Sequence, residues 1–250
     1  MAREVRSWFT TPAPEIGYQV SEHWYGHLSN LSPARARVIL TIDAPGQVPA
    51  ALAEASSACG HRALTIWVDD RDRAALLGPA LGASGCQISD ATTHLALVGR
   101  MTGRARPDGL VVASIGEDRL AEWATVKLQC FDDTEHAPSP DRLAAEVTAR
   151  RSELALTDHQ LASLAGEHVA VLAYYQGRDQ LVFNLGTRLP YRHRGIAQAM
   201  LAQWAAAGTG SGCRSLIINC HDGGRPAALY RRLGFTDEIY WYQKYELAPR

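Results

Sequence analysis

A strand-like run of apolar residues passes into an arginine-rich turn and then into a helix with apolar periodicity. The strand pattern is QLVFNLGT (residues 180–187), and the turn and helix read YRHRGIAQAML (residues 191–201). A helix N-terminus has unpaired backbone N–H groups and the positive end of the helix dipole, so extra cations there are unfavourable unless an anion lies among them. The sequence therefore predicts a phosphate site where a strand meets a helix.

Two small residues in this turn support the same prediction. Gly195 lets a ligand approach the backbone without a Cβ in the way, and Ala197 keeps the first helical turn slim. Successive N–H groups can then hold a pyrophosphate while arginine side chains add charge-assisted hydrogen bonds. No GxxxxGK[ST] motif occurs, and GTGSG (residues 208–212) follows a helix and precedes a strand. That context is the reverse of a phosphate loop, so GTGSG is predicted to end the helix.

Composition makes any anion site a local one. The 250 residues include 25 basic and 26 acidic side chains, and 46% are hydrophobic. This balance argues against broad binding of nucleic acid or of an anionic membrane, so neither is expected as a partner. No run approaches the roughly 18 apolar residues that span a bilayer, and residues 1–15 show no apolar core followed by a cleavage site. We expect a cytoplasmic protein.

The cysteines indicate neither a disulfide framework nor a zinc site. Their number is odd, they are scattered, and no CxxC pair occurs. We expect them to be small core residues and expect no metal cofactor. The five are Cys59, Cys86, Cys130, Cys213 and Cys220.

An offset of 152 positions aligns HRALTIWVDDRDRAALLGPALG (residues 61–82) with CRSLIINCHDGGRPAALYRRLG (residues 213–234). Each copy reads as a strand, a polar loop and a helix stopped by glycine. Chance agreement between two common strand–helix units is the alternative to an internal repeat. The shared residues are Arg62, Leu64, Ile66, Asp70, Arg73, Ala75, Leu77, Leu81 and Gly82 in the first copy.

The second copy differs from the first at the predicted phosphate site. Under the same offset Arg192, Gly195 and Ala197 fall on Leu40, Asp43 and Pro45, and Tyr230 falls on Gly78. If the halves share an ancestor, the first has lost its anion site. The glycine- and arginine-rich residues 97–109 are the natural linker. In the second half three strand patterns arrive consecutively before the anion-site helix, which predicts a mixed sheet and not a doubly wound parallel one.

Two motifs in this order resemble the GCN5-related N-acetyltransferase (GNAT) superfamily: Arg-x-x-Gly-x-Ala at Arg192, Gly195 and Ala197, and LYxxLGF at residues 229–235. The resemblance implies an α/β protein of the α+β type, made of two GNAT-like halves, each with a mixed, mainly antiparallel twisted sheet flanked by helices. Residues 1–104 would form a degenerate GNAT-like domain and residues 105–250 a catalytic domain that binds acetyl-CoA or another acyl-CoA as co-substrate.

The resemblance also assigns roles to residues. Backbone groups of Leu185, Gly186 and Thr187 would contact the pantetheine arm where two strands splay apart, Asn219 would contact the same arm, and Tyr230 would protonate the departing thiolate. The pyrophosphate would be held by Arg192, His193, Arg194, Gly195, Ile196 and Ala197.

The implied reaction is direct attack of a primary amine of a small molecule on the thioester, which needs a base. Asn184 cannot serve, so we look to the acidic loop after the first helix, with Asp133 and Glu135 as the candidates and Asp132 and His136 beside them. The same carboxylates would attract a cationic acceptor. A solvated acidic loop is the simpler reading of these residues.

Two other functions are compatible with the same fold. One is an aminoacyltransferase that uses aminoacyl-tRNA, and the other is a regulatory protein that binds acyl-CoA without catalysis. The intact pyrophosphate motif and the near-neutral charge disfavour the first, and Tyr230 argues against the second. A homodimer is possible.

Overall fold

A computed structural model of the chain describes residues 17–28, 35–102 and 105–249, and it contains eleven strands and six α-helices within those ranges. The predicted boundary at residue 104 and the N-terminal residues 1–15 lie outside them. The strands are β1 (Gly17–Val20), β2 (Trp24–Leu28), β3 (Arg35–Leu40), β4 (Ala63–Asp69), β5 (Gln87–Leu97), β6 (Leu110–Ser114), β7 (Thr157–Leu164), β8 (Glu167–Tyr175), β9 (Asp179–Thr187), β10 (Ser215–His221) and β11 (Phe235–Leu247). The helices are α1 (Val48–Ala58), α2 (Arg71–Ala83), α3 (Leu120–Phe131), α4 (Pro140–Arg151), α5 (Ile196–Gly210) and α6 (Arg225–Arg232).

The chain forms two compact units that are not continuous in sequence. The first comprises the described residues up to His94 together with Cys220–Ala227 and the residues from Glu238 onward, and the second comprises Leu95–Asn219 and Ala228–Asp237. Two segments of the C-terminal sequence half therefore group with the first unit. The division into residues 1–104 and 105–250 describes the sequence repeat and differs from this grouping.

The first unit has a mixed sheet with helices packed on it. Its strands follow the order β1-β2-β3-β4-β11, with β3 and β4 parallel and the other neighbours antiparallel. Apolar residues of β4 recur at every second position, so Leu64, Ile66 and Val68 point to one face and are fully buried. Leu52 of α1 and Leu77 of α2 belong to the same core cluster.

Strand β11 completes the first unit, although it follows every other described element in the sequence. Residues 242–247 pair antiparallel with residues 64–69 of β4, and Tyr245 and Leu247 lie in the core of this unit. Arg71 at the start of α2 donates to Asp222 at 2.7 Å and to Glu238 at 3.1 Å. These contacts hold two C-terminal segments against the N-terminal sequence half.

The second unit repeats this arrangement with its own strands. The order is β10-β9-β8-β7-β6, with β9 and β10 parallel and the rest antiparallel. A parallel pair needs a crossover connection, which α5 supplies here as α1 does between β3 and β4. Trp123 of α3 is fully buried and donates its indole N–H to the Gln160 carbonyl at 3.2 Å. The prediction of a mixed, mainly antiparallel sheet in each half is confirmed.

The glycine-rich stretch at residues 208–212 ends α5, as predicted, but the helix includes the first three residues of this stretch. The apolar periodicity after the arginine-rich turn predicts a helix from Arg194 to about Ala207, whereas α5 spans Ile196–Gly210, and Gly212 follows with φ at 73°. Gly208 lies against β10, because a Cβ there would come within 2.6 Å of Leu216 Cδ2. Close packing on the sheet therefore explains this glycine and keeps it inside the helix.

Four of the five cysteines are buried, as expected for core residues, whereas Cys213 is half-buried at the turn before β10. Across the described ranges no helix has the length and apolarity to cross a bilayer. The same residues include no cluster of three His, Cys, Asp or Glu side chains arranged to hold a metal ion.

The place of β11 in the first unit can be tested with Tyr245→Ala. Removing a fully buried aromatic ring should lower the free energy of unfolding by about 3 kcal/mol, and amides of β4 should exchange faster while those of β8 change little. Hydrogen exchange followed by mass spectrometry resolves residues 63–69 from residues 167–175. Thr236→Ala, at an exposed position of the same strand, is the control. Faster exchange confined to β8 would show that the strand stabilises the second unit instead.

Buried His159 of β7 predicts acid sensitivity. Burial, with a smaller contribution from Arg150, lowers the pKa of His159 to about 4, whereas a histidine in the unfolded chain titrates near 6.5. Between these values the unfolded chain binds a proton that the folded chain does not, so stability falls as the pH drops from about 6.5 to about 4. Urea unfolding at pH 7 and pH 5 should show that the free energy of unfolding falls less in His159→Gln than in the native protein. Equal losses would contradict this assignment.

Candidate functional site

Strands β9 and β10 part from each other within the second unit. They pair in parallel from Asp179 and Ser215 to Val182 and Ile218, and both continue as strands beyond the last pair. The β8–β9 register shifts at the same level, which leaves Phe183 as an extra residue on β9. A bulge bends its strand, and this one lies directly after the last pair between β9 and β10. The predicted contact residues 185–187 follow on the part of β9 that is not paired with β10.

Asn219 lies at the point where the two strands separate. It is the first residue of β10 after the last pair with β9, and its side chain is half-buried. The structure therefore brings Asn219 to the mouth of the opening between the strands, where the pantetheine contact was predicted.

Gly186 has a packing role that sequence reasoning missed. A Cβ there would come within 2.6 Å of the Cβ of Cys130 and within 3.2 Å of the ring of Phe131. Both residues belong to the last turn of α3, so the glycine lets this helix end rest directly on β9. Burial raises the pKa of the Cys130 thiol to about 12, which makes it an inert packing group.

Residues 188–195, here called the anion loop, connect β9 to α5. The loop contains a short 3₁₀ turn at Leu189–Tyr191, and both His193 and Gly195 have positive φ, at 63° and 80°. No side chain caps α5. Across residues 193–198, which the structure describes in full, the backbone N–H groups donate to no protein acceptor. Six consecutive donors and the positive end of the α5 dipole therefore meet at one place, where a Cβ added to Gly195 would meet nothing within 4 Å.

Arg192 and Arg194 of the anion loop differ in their binding partners. Arg192 donates to the Thr187 carbonyl at 2.9 Å, to the Cys130 carbonyl at 2.8 Å, and to the carboxylate of Asp133. Its guanidinium is thus bound to protein groups, although the motif predicts a pyrophosphate contact for this residue. Arg194 lies over the ring of Tyr191 at 5.3 Å and has no carboxylate partner among the described residues.

Arg188 is a further residue of this site that sequence reasoning did not single out. Its Nη1 donates to the His168 carbonyl at 2.9 Å, and its Nε donates to Glu135 at 3.1 Å. No sequence pattern distinguishes Arg188, because it lies between the strand and the motif among other basic residues. The contact appears once the chain has folded, because it joins residues 53 positions apart.

The acidic loop (residues 132–136) follows α3, and each of its carboxylates has an arginine partner. Asp132 pairs with Arg142 of α4 at 2.7 Å, Asp133 pairs with Arg192, and Glu135 pairs with Arg188. The structure thus brings the predicted base candidates against the anion loop. Three carboxylates facing three guanidinium groups leave little uncompensated charge here.

Tyr230 lies in α6 and is 7% exposed. Its ring stands edge-on to Phe235 at 6.3 Å between centroids, and Phe235 stacks on Trp204 of α5 at 6.2 Å. The backbone then leaves the helix through Gly234, at a φ of 106°. The LYxxLGF motif therefore serves the fold by anchoring α6 with aromatic contacts, and Tyr230 belongs to that anchor.

The corresponding helix start in the first unit differs in its backbone chemistry. The turn before α1 contains Pro45, and Pro49 occupies the second position of the helix, so two N–H donors are missing. The N–H of Gln47 bonds to the Ala44 carbonyl at 3.0 Å. A cavity of about 490 Å³ nearby is lined by Asp43, Asp69, Asp70, Asp72, Arg73 and Leu76. An excess of carboxylates disfavours an anion there.

The position that corresponds to Tyr230 is also altered in the first unit. Gly78 of α2 stands there under the repeat offset, and a Cβ at Gly78 would lie 3.2 Å from the hydroxyl of Tyr245. The space beside this helix is thus taken by a residue of β11.

No protein-family model matches the chain, and no curated protein matches its sequence. Solved structures match its fold. A GCN5-related N-acetyltransferase from Kribbella flavida has a TM-score of 0.68 at 18% identity, covering 98% of this chain and 95% of that one. A functionally unknown conserved protein from Staphylococcus epidermidis has a TM-score of 0.72 at 11% identity, covering 93% of each. A tandem GNAT protein from the clavulanic acid biosynthesis pathway has a TM-score of 0.60 at 16% identity, covering 90% of this chain and 78% of that one.

The open face of Gly195 yields a prediction about anion binding. In Gly195→Ala a methyl group would project where a bound phosphate approaches the N–H groups, so the affinity for coenzyme A should fall about 10-fold or more. Isothermal titration calorimetry measures this change. Gly109→Ala is a matched control, because Gly109 has a similar φ of 73° and equal space around it. Equal affinities of the two variants would contradict the placement.

Proposed function

Because the chain has the fold of the GCN5-related N-acetyltransferases, in two GNAT-like halves, we propose that it is an N-acyltransferase. It transfers an acetyl or other acyl group from acyl-CoA to a primary amine of a small molecule. The observation that carries this proposal is the set of six unpartnered N–H groups at residues 193–198, beside the parted strands. A diphosphate fits such a set, because consecutive amides at a helix N-terminus bind phosphate oxygens.

Binding of acyl-CoA is proposed for the second unit alone. The N–H groups of residues 193–198 and the guanidinium of Arg194 would hold the pyrophosphate, and backbone groups of Leu185, Gly186 and Thr187 with the amide of Asn219 would hold the pantetheine arm. The two prolines and the acidic cavity of the first unit support its exclusion.

The proposed chemistry is a direct transfer without a covalent intermediate on the protein. The amine nitrogen attacks the thioester carbonyl, a C–N bond forms, and the C–S bond breaks as the thiolate leaves. A backbone N–H on β9 stabilises the negative charge on the carbonyl oxygen, and the Tyr230 hydroxyl gives a proton to the sulfur. The proton that the amine loses must go to a base.

The assignment of that base to Asp133 or Glu135 stays a prediction, and the contacts set a condition on it. Each carboxylate accepts hydrogen bonds from an arginine, so it would have to release this partner before it received a proton. The same ion pairs reduce the attraction that the loop would exert on a cationic amine.

These ion pairs favour a second candidate function, an acyl-CoA-binding regulatory protein without turnover. The two candidates share the ligand and differ in chemistry. Acyl-CoA binding together with acyl transfer to any amine supports the enzyme, whereas tight binding with no transfer across a panel of primary amines supports the regulator.

Tyr230→Phe tests the enzyme proposal. The change keeps the ring and removes only the proton donor, so acyl-CoA affinity should change little while kcat falls about 100-fold, the usual scale for one general acid. Calorimetry gives the affinity, with one site per chain expected, and release of free thiol gives the rate. If kcat stayed at the native value, the tyrosine would be a packing residue.

A further inference from the structure

The anion loop and the acidic loop are joined by two ion pairs that lie on the two sides of the 3₁₀ turn. Arg188 precedes the turn and binds Glu135, and Arg192 follows it and binds Asp133. The side chains of Arg188 and Arg192 are only 16% and 31% exposed. Both ends of the turn are therefore attached to the same short segment after α3.

The acidic loop is itself held by α3, so it can serve as an anchor. Gln129 accepts the N–H of Thr134 at its backbone carbonyl, at 3.2 Å, and donates its side-chain amide to the Glu135 carbonyl at 3.1 Å. Asp133 adopts a φ of 51°, which turns the chain at the helix end. The carboxylates of Asp133 and Glu135 are thus presented from a fixed backbone.

Arg192 binds more than a carboxylate. It also donates to the Cys130 carbonyl in the last turn of α3, where carbonyls lack helical partners and the helix dipole is negative. Its third bond, to the Thr187 carbonyl, closes the loop back on the end of β9. The guanidinium therefore joins the end of β9, the end of α3 and the acidic loop.

We propose that Asp133 and Glu135 are positioning residues that lock the anion loop in its binding shape by holding Arg192 and Arg188. With the two arginines held, the N–H groups of residues 193–198 face one ligand position before the ligand arrives, which lowers the entropy cost of binding. The proposal rests on the proposed function for the identity of the ligand, the pyrophosphate of acyl-CoA.

The direction in which coenzyme A affinity changes on neutralising these carboxylates separates a positioning role from a purely electrostatic one. A carboxylate near an anion site repels the anion, so removing its charge would tighten coenzyme A binding if charge alone mattered. Loss of a positioning contact has the opposite effect, because the loop must then be ordered at the time of binding. If Asp133 or Glu135 is instead the base, removing their charges should change the kinetics with the acceptor and leave coenzyme A affinity unchanged.

The test compares Asp133→Asn/Glu135→Gln with Asp132→Asn. The double variant keeps the shape of both side chains, and we expect its dissociation constant for coenzyme A to rise about 10-fold, as for two partly exposed ion pairs. Asp132→Asn removes a charge from the same loop, but Asp132 binds Arg142 of α4, so its affinity should stay within about 2-fold of native. Affinity is measured by calorimetry, and acceptor KM and kcat are measured separately.

Hydrogen exchange in the ligand-free protein gives a second readout. The N–H groups of Arg188 and Tyr191 bond to the carbonyls of Val169 and Arg188, at 2.9 and 3.0 Å. In the double variant these amides should exchange about 10-fold faster if the contacts order the loop. Asp132→Asn should leave them unchanged.

The outcomes are distinguishable. Weaker coenzyme A binding with faster exchange in the double variant alone supports the positioning role. Native or tighter binding, or unchanged exchange, overturns it, and a change confined to acceptor kinetics assigns the carboxylates to the base role. If the native protein bound no coenzyme A, the proposed function would fail, and the exchange measurement would still decide whether the two carboxylates order the loop.

Discussion

The parting of β9 and β10 is the constraint on which the rest of the second unit depends. If β9 and β10 stayed paired along their whole length, the backbone groups of β9 would bond within the sheet, and no opening would remain beside α5. The pairing ends at Val182 and Ile218, and the bulge at Phe183 follows the last pair directly. Eight residues connect the end of β9 to the start of α5, which places a row of free N–H donors close to the opened strand. The ion pairs of the acidic loop and the hydrogen bond from Arg192 to the Cys130 carbonyl of α3 hold the connection between them.

The sequence was informative where backbone conformation and local composition decide the outcome. The arginine-rich turn before α5, the mixed sheets and the two strand–loop–helix copies follow from patterns over neighbouring residues. Asp133, Glu135 and Arg192 were all named as candidates. The partners of these residues could not be foreseen, because an arginine can bind a phosphate, a carbonyl or a carboxylate. Which one it meets depends on residues about sixty positions away. Gly186 shows the same limit, since its requirement comes from Cys130.

The repeat and the compact units describe different properties of the chain. Similar sequences make β4–α2 resemble β10–α6, yet the residues from Glu238 onward belong to the unit that contains β4. Tyr245 shows the physical reason. Its ring is fully buried in the core of the first unit, and its hydroxyl lies beside Gly78, where the other copy has Tyr230. The position that holds the proposed proton donor in one copy is thus a packing position in the other.

The location of β11 also bears on how the chain is made. A ribosome synthesises β3 and β4 well before the strand that pairs with residues 64–69, because that strand lies at residues 242–247. Until then β4 has an unpaired edge, and an exposed edge of this kind invites pairing with other chains. The first unit can close only after residues 242–247 have been made, so the N-terminal half of the sequence depends on a strand of the C-terminal half to complete its own core.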